Sequence, residues 1–152
     1  MVVELLSYYT PNNHNLINLN ATAAHHVEDR RSSQQIETLF RLANVKENVG
    51  IERAVLSTAF GKGTISLENS THFTTLVANQ NAVIYRAKQL ADKEFLETLT
   101  KLSNSTESKA VLGYRELITG PDKAIAANAD RWFVASTKRI DLLRVDEQLL
   151  VA

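Results

Sequence analysis

The sequence predicts an all-α protein, an up-down bundle of four long helices with two short helices between the third and the last. Three observations carry that expectation. Five glycines and two prolines in 152 residues are too few turn formers for a many-stranded sheet. Apolar residues return at intervals of three and four rather than alternating, so the β-branched residues fall in helical register. The strongest breaks, Gly61-Lys62-Gly63-Thr64 and Thr119-Gly120-Pro121-Asp122, lie between such stretches and not within them.

Pro11 is placed where a first helical turn tolerates it. Leu16, Leu19, Ala23 and Val27 follow at helical spacing and predict the first long helix. A second runs from about Arg31 to Phe60 on Ile36, Leu39, Phe40, Ala43, Val49, Ala54, Leu56 and Phe60, a length of about 45 Å at 1.5 Å per residue. The two glycines that follow supply left-handed backbone at little steric cost and stop it. The third carries Phe73, Leu76, Val77, Val83, Ile84, Ala87, Leu90 and Ala91 on one face, with Gln80 in the middle. Asp92 can cap a short helix bearing Phe95, Leu96, Leu99 and Leu102. Ser105 or Thr106 can cap another bearing Ala110, Val111, Tyr114, Leu117 and Ile118. Asp130 is expected to cap the last helix, with Phe133, Ile140, Leu143, Val145 and Leu150 inward.

A chain of this length builds one core, so residues 1–152 are expected to form a single domain. Lys and Arg number 17 against 17 Asp and Glu, and without a basic run no field draws the chain to nucleic acid or an anionic membrane. The absence of cysteine removes disulfides and thiolate metal sites. No stretch approaches the roughly 20 apolar residues of a membrane span. Both ends are nevertheless apolar, Val2 to Leu6 and Leu149 to Ala152, as if cut from longer segments. An even number of passes would bring the termini to one end of the bundle, where two flanking spans would need them. The chain is therefore expected to be the extracytoplasmic part of a membrane receptor, touching the membrane only through spans that it does not itself contain.

Lys46, Gly50 and Arg53 are spaced four and three apart and share a helix face. A glycine between two cations is a notch with positive edges, and a mid-helix glycine costs about 1 kcal/mol relative to alanine. The notch either admits a ligand or only allows close helix packing, with the cations paired to neighbouring glutamates. Trp132 and Arg139, seven apart, share a face with Ser136 between them. A guanidinium is a planar fork of donors that binds small oxyanions in a bidentate way, so Arg53 and Arg139 would suit nitrate; equally, Trp132 could anchor the core and Arg139 lie at the surface. Gln80 needs partners for its amide and would contact ligand or cross-link helices. His25 and His26 point about 100° apart on a helix and do not make a metal site with Glu28 and Asp29. No phosphate loop, nucleophile elbow or zinc motif is present. Catalytic residues, a bound metal and a cofactor are not expected, and the chain is not expected to be an enzyme.

Three blocks taken together, Lys46-Glu47-Asn48-Val49-Gly50-Ile51-Glu52-Arg53-Ala54, then Val77-Ala78-Asn79-Gln80, then Trp132-Phe133 with Thr137-Lys138-Arg139-Ile140-Asp141-Leu142-Leu143, resemble the nitrate- and nitrite-sensing (NIT) domain. The resemblance covers about Leu39 to Leu149. It implies an all-helical sensor fused to chemoreceptor signalling regions, cyclic-dinucleotide enzymes, kinases or RNA-binding antiterminators. It also implies anion sensing that depends on arginines, here Arg53 and Arg139, with Lys46 fitting the membrane-receptor form of the first motif. The chain departs from the family in its loops, a short Gly61-Lys62-Gly63 and an Ala- and Asn-rich segment before Trp132.

The expectation is a periplasmic sensor domain of an inner-membrane, methyl-accepting chemotaxis receptor, pairing as a homodimer and binding nitrate, nitrite or another small anion. Its ligand-binding set is Arg53, Arg139, Lys46, Gly50, Gln80 and Trp132. The competing expectation is a structural or dimerisation module without a ligand, or a docking site for a periplasmic binding protein.

Overall fold

The computed structural model describes residues 29–90, 93–119, 125 and 129–151, together with Pro11 and Asn15. Among the described residues there are five helices and no strand: α1 Arg30–Lys62, α2 Leu67–Leu90, α3 Lys93–Asn104, α4 Thr106–Thr119 and α5 Ala129–Val151. Three long passes with two short helices before the last agree with the expected all-helical bundle. Of the long helix expected over Pro11 to Val27 only Pro11 and Asn15 are described, both helical; the rest of it, and with it the count of four, lies outside the described residues, as does the expected cap Asp92.

The termini of these helices follow local chemistry. Asp29, in extended backbone at φ −79° and ψ 118°, accepts a hydrogen bond from Ser32 N at 2.8 Å and caps α1. Gly63, at φ 66°, ends it in the left-handed conformation that suits glycine. Ser105 Oγ accepts from Ser108 N at 3.1 Å and starts α4. The last helix begins at Ala129, so Asp130 lies in its first turn rather than before it.

The long helix α1 packs chiefly on α5 and α2, and α4 packs on α5. One apolar cluster joins Leu42, Val45, Val49, Ala87, Phe95, Leu99, Leu102 and Leu143. A second joins Leu56, Phe60, Phe73, Val111, Ile118 and Trp132. Within it the rings of Phe60, Tyr114 and Trp132 meet pairwise at centroid distances of 5.6–5.9 Å in tilted or edge-to-face geometry. Between the clusters, the three helices that contribute to both each place a polar residue at a core position. On α1 it is Glu52, between Val49 and Leu56; on α2 Gln80, between Phe73 and Ala87; on α5 Arg139, between Trp132 and Leu143.

Several expected inward residues are not buried. Phe133 is 49% exposed, because the buried stripe of α5 is Trp132, Ser136, Arg139 and Leu143, a 4-3-4 spacing that leaves Phe133 about 100° off axis. Leu96 and Ala110 also face outward. On α1 the buried stripe is Thr38, Leu42, Val45, Val49, Glu52, Leu56 and Ala59. Ile36, Leu39, Phe40 and Ala43 flank it half-buried.

Candidate anion site

The polar layer is a single hydrogen-bonded cluster drawn from four helices. Arg115, brought in by α4, donates from Nε to Glu52 Oε1 and from Nη2 to Glu52 Oε2, each at 2.7 Å. That is the bidentate geometry of a guanidinium on a carboxylate. Gln80 Nε2 donates to Glu52 Oε2 at 2.8 Å. Gln80 Oε1 accepts from Arg115 Nη2 at 2.7 Å and from Arg139 Nη1 at 3.2 Å. Only one orientation of the amide serves these partners, its oxygen toward two cations and its nitrogen toward the carboxylate. Glu52 and Gln80 are fully buried, Arg115 and Arg139 nearly so.

The charges in this cluster do not balance. Among the described residues one carboxylate is shared between two guanidinium groups, which leaves an excess of one positive charge in this buried cluster. Burial first, and the like charge of Arg115 second, pull Arg139 well below the ordinary guanidinium value, to about 10, while Glu52 acts in the opposite sense. At about 1.4 kcal/mol per pH unit, the folded chain holds this charge at a cost on the order of 3 kcal/mol. A cation whose pKa is lowered by folding is charged in both states below pH 10, so that cost is present throughout the neutral range. It is relieved only as the pH rises above about 10, where the unfolded chain still binds the proton that the folded chain releases.

Arg115 and Arg139 also line a cavity of about 290 Å³ between α2, α3, α4 and α5. Lys88, whose Nζ donates to Ser103 Oγ at 3.1 Å, and Ser108 line it with them. Among the described residues, Gln80 Oε1 is the one hydrogen-bond acceptor of Arg139. A five-donor guanidinium with one acceptor, at the wall of a cavity that holds a second guanidinium and an ammonium, presents the donors that a small oxyanion requires, whereas the hydroxyls of Ser103 and Ser108 donate to the backbone oxygens of Leu99 and Leu102 at 2.8 Å each.

The sequence-derived residues divide into two groups. Gln80 and Arg139 meet in this cluster. Arg53 does not line the cavity: it lies on the seam between α1 and α5, where Nη1 donates to Thr137 Oγ1 at 2.9 Å and Cζ sits 4.7 Å from the centroid of Phe133. Trp132, fully buried, donates from Nε1 to the backbone oxygen of Arg53 at 3.0 Å. The indole thus ties α5 to α1 and packs with Phe60 and Tyr114. Lys46 and Gly50 are half-buried on the Arg53 face of α1, and no atom of the described residues comes within 4 Å of a Cβ built at Gly50. Glu52, which spacing offered as a partner for Arg53, is held by Arg115 instead.

Glu52, Lys88, Ser103, Ser108 and Arg115 were not expected. Glu52 and Arg115 left a signal all the same, each sitting in phase with buried apolar neighbours: Val49 and Leu56 for Glu52, Val111 and Ile118 for Arg115. A charged residue in core register is rare unless paired.

Among the described residues no group of three or more His, Asp or Glu side chains is placed to hold a metal. No helix among them is long and apolar enough to cross a membrane. A family model described as nitrate and nitrite sensing, NIT, matches residues 2–152. No curated protein and no solved structure matches the chain.

Proposed function

Because the chain belongs to the NIT family of nitrate- and nitrite-sensing domains, we propose that it is the ligand-binding sensor domain of a bacterial chemotaxis-type receptor, and that it binds a small anion at Arg139 and Arg115. The observation that carries this reading is the uncompensated positive charge at the cavity wall. A monoanion there would supply the missing counter-charge and acceptors for the guanidinium groups, whereas cations and neutral solutes would not. Gln80, shared by both arginines, orients them toward the ligand.

Arg53 matches the arginine of the family's first motif, and its proposed contribution runs through position. With Trp132 it holds α5 against α1, and with Lys46 and Gly50 it forms the α1 face along which that seam shifts. An anion that draws Arg115 and Arg139 together would repack α4 against α5 and move α5 along α1. A receptor would carry that displacement onward through a membrane span. A periplasmic location, an inner-membrane anchor and pairing as a homodimer complete the proposal.

Calorimetric titration with nitrate tests it. The wild-type domain should bind at millimolar nitrate or below, with a matching rise in melting temperature. Arg139→Met should abolish both signals, and Arg53→Ala should weaken them. A wild-type domain that gives neither heat nor thermal shift at millimolar nitrate refutes anion sensing and favours a structural module.

A further inference from the structure

The cavity is larger than a nitrate ion needs, and most of its wall is apolar. At about 290 Å³ it approaches the lower end of the roughly 300–1,000 Å³ range of pockets that enclose small organic ligands. Its cationic end is made by Arg139, Arg115 and Lys88, and Ile84, Leu102 and Leu112 with the ring of Tyr85 form its apolar part. It is also continued. A second cavity of about 400 Å³, lined by Phe73 and Val77, shares Asn81, Leu112 and Arg115 with the first. Both lie in the gap between α2 and α4. These helices do not approach closely backbone to backbone and are tied across the gap by the hydrogen bond from Arg115 to Gln80.

A nitrate ion at Arg139 would occupy only the polar end and leave Ile84, Leu102 and Leu112 facing water. A ligand with one carboxylate and an apolar body would answer both parts. Its carboxylate is planar and accepts two parallel hydrogen bonds from a guanidinium. Its single negative charge equals the excess carried by Glu52, Arg115 and Arg139. Its body would displace water from apolar wall, which favours binding in proportion to the area covered.

Resting on the assignment of an anion site to Arg115 and Arg139, we infer that the cleft between α2 and α4 takes an organic monocarboxylate of about the size of benzoate. The carboxylate sits at Arg139 and Arg115, and the apolar body runs along Leu112 toward Tyr85. Inorganic anions occupy the polar end of the same cleft and compete with it.

Benzoate, its neutral isostere benzamide and nitrate, titrated separately into the domain by calorimetry, test this. Benzoate should bind at least about tenfold more tightly than nitrate, nitrate should displace it competitively, and benzamide should give no measurable heat. Leu112→Trp, which fills the cleft from an exposed position, should weaken benzoate by about tenfold or more and leave nitrate within about twofold; retained nitrate binding also reports that this variant is folded. Tyr85→Ala, at a residue 66% exposed, should weaken benzoate severalfold and serves if Leu112→Trp does not fold. Nitrate binding without tighter benzoate binding overturns the organic ligand and leaves the anion site standing. Binding of neither ion overturns both. Equal binding of benzamide and benzoate, or benzoate affinity unchanged in both variants, also overturns the inference.

Discussion

Arg139 and Glu52 make opposite demands on the same layer. Removing Arg139 removes the surplus charge, whereas removing the charge of Glu52 leaves two buried guanidinium groups without a carboxylate. Arg139→Met should therefore stabilise the ligand-free domain by about 1 kcal/mol or more, because a flexible apolar side chain replaces a desolvated cation. Glu52→Gln should destabilise it by about 3–5 kcal/mol, the cost of breaking a buried pair from one side. Urea unfolding without added nitrate measures both, and a destabilised Arg139→Met or an unaffected Glu52→Gln would contradict the charge imbalance. A ligand-free domain that is less stable with its binding arginine than without it is what a site poised for an anion entails. Gln80 was legible as a functional candidate, since a single amide interrupts a long apolar stripe. Arg115 was not singled out: its phase with Val111 and Ile118 marks it as inward only once α4 is known to turn that face to the core.

At the scale of the helix, ends were easier to read than phase. The second predicted helix was expected from about Arg31 to Phe60, and α1 spans Arg30–Lys62. Gly63 and Ser105 act chemically within one turn of backbone, so neighbouring residues suffice to locate the stops. Phase depends on tertiary partners. On α1 the polar Thr38, Asn48 and Glu52 occupy buried positions, which shifted the apparent apolar face toward Ile36, Leu39 and Ala43. On α5 the buried Ser136 and Arg139 hid the stripe in the same way and put Phe133 on the wrong side. Phe133 instead carries Arg53 on its ring, a contact worth about 0.5–1 kcal/mol at an exposed site. Short α4, which turns Arg115 into the charge layer, offers a control on its outer face. Gly113 lies in its interior, is exposed, and would meet no atom within 4 Å as alanine. Gly113→Ala should raise stability by about 1 kcal/mol through helix propensity alone. Thermal or urea unfolding reads this directly, and a loss of stability would mean that α4 does not hold its helical backbone there.

At the scale of the whole molecule, the described residues form two apolar cores separated by one charged layer that spans four helices. Such a layer is expensive to keep, and the part of it that faces the cavity is the part with surplus charge. An anion entering there would bind the folded chain and not the unfolded one, adding about 2.7 kcal/mol of stability at a hundred times its dissociation constant. It would act where α2, α4 and α5 converge on Gln80, so a small shift there reaches both cores. Which cavity wall receives the anion can be located by crystallising the domain with bromide and recording its anomalous signal. A peak within hydrogen-bonding distance of the guanidinium groups of Arg139 or Arg115, absent in Arg139→Met, is the predicted result. A peak confined to the face of Lys46, Gly50 and Arg53, or no ordered bromide in the cavity, would contradict it.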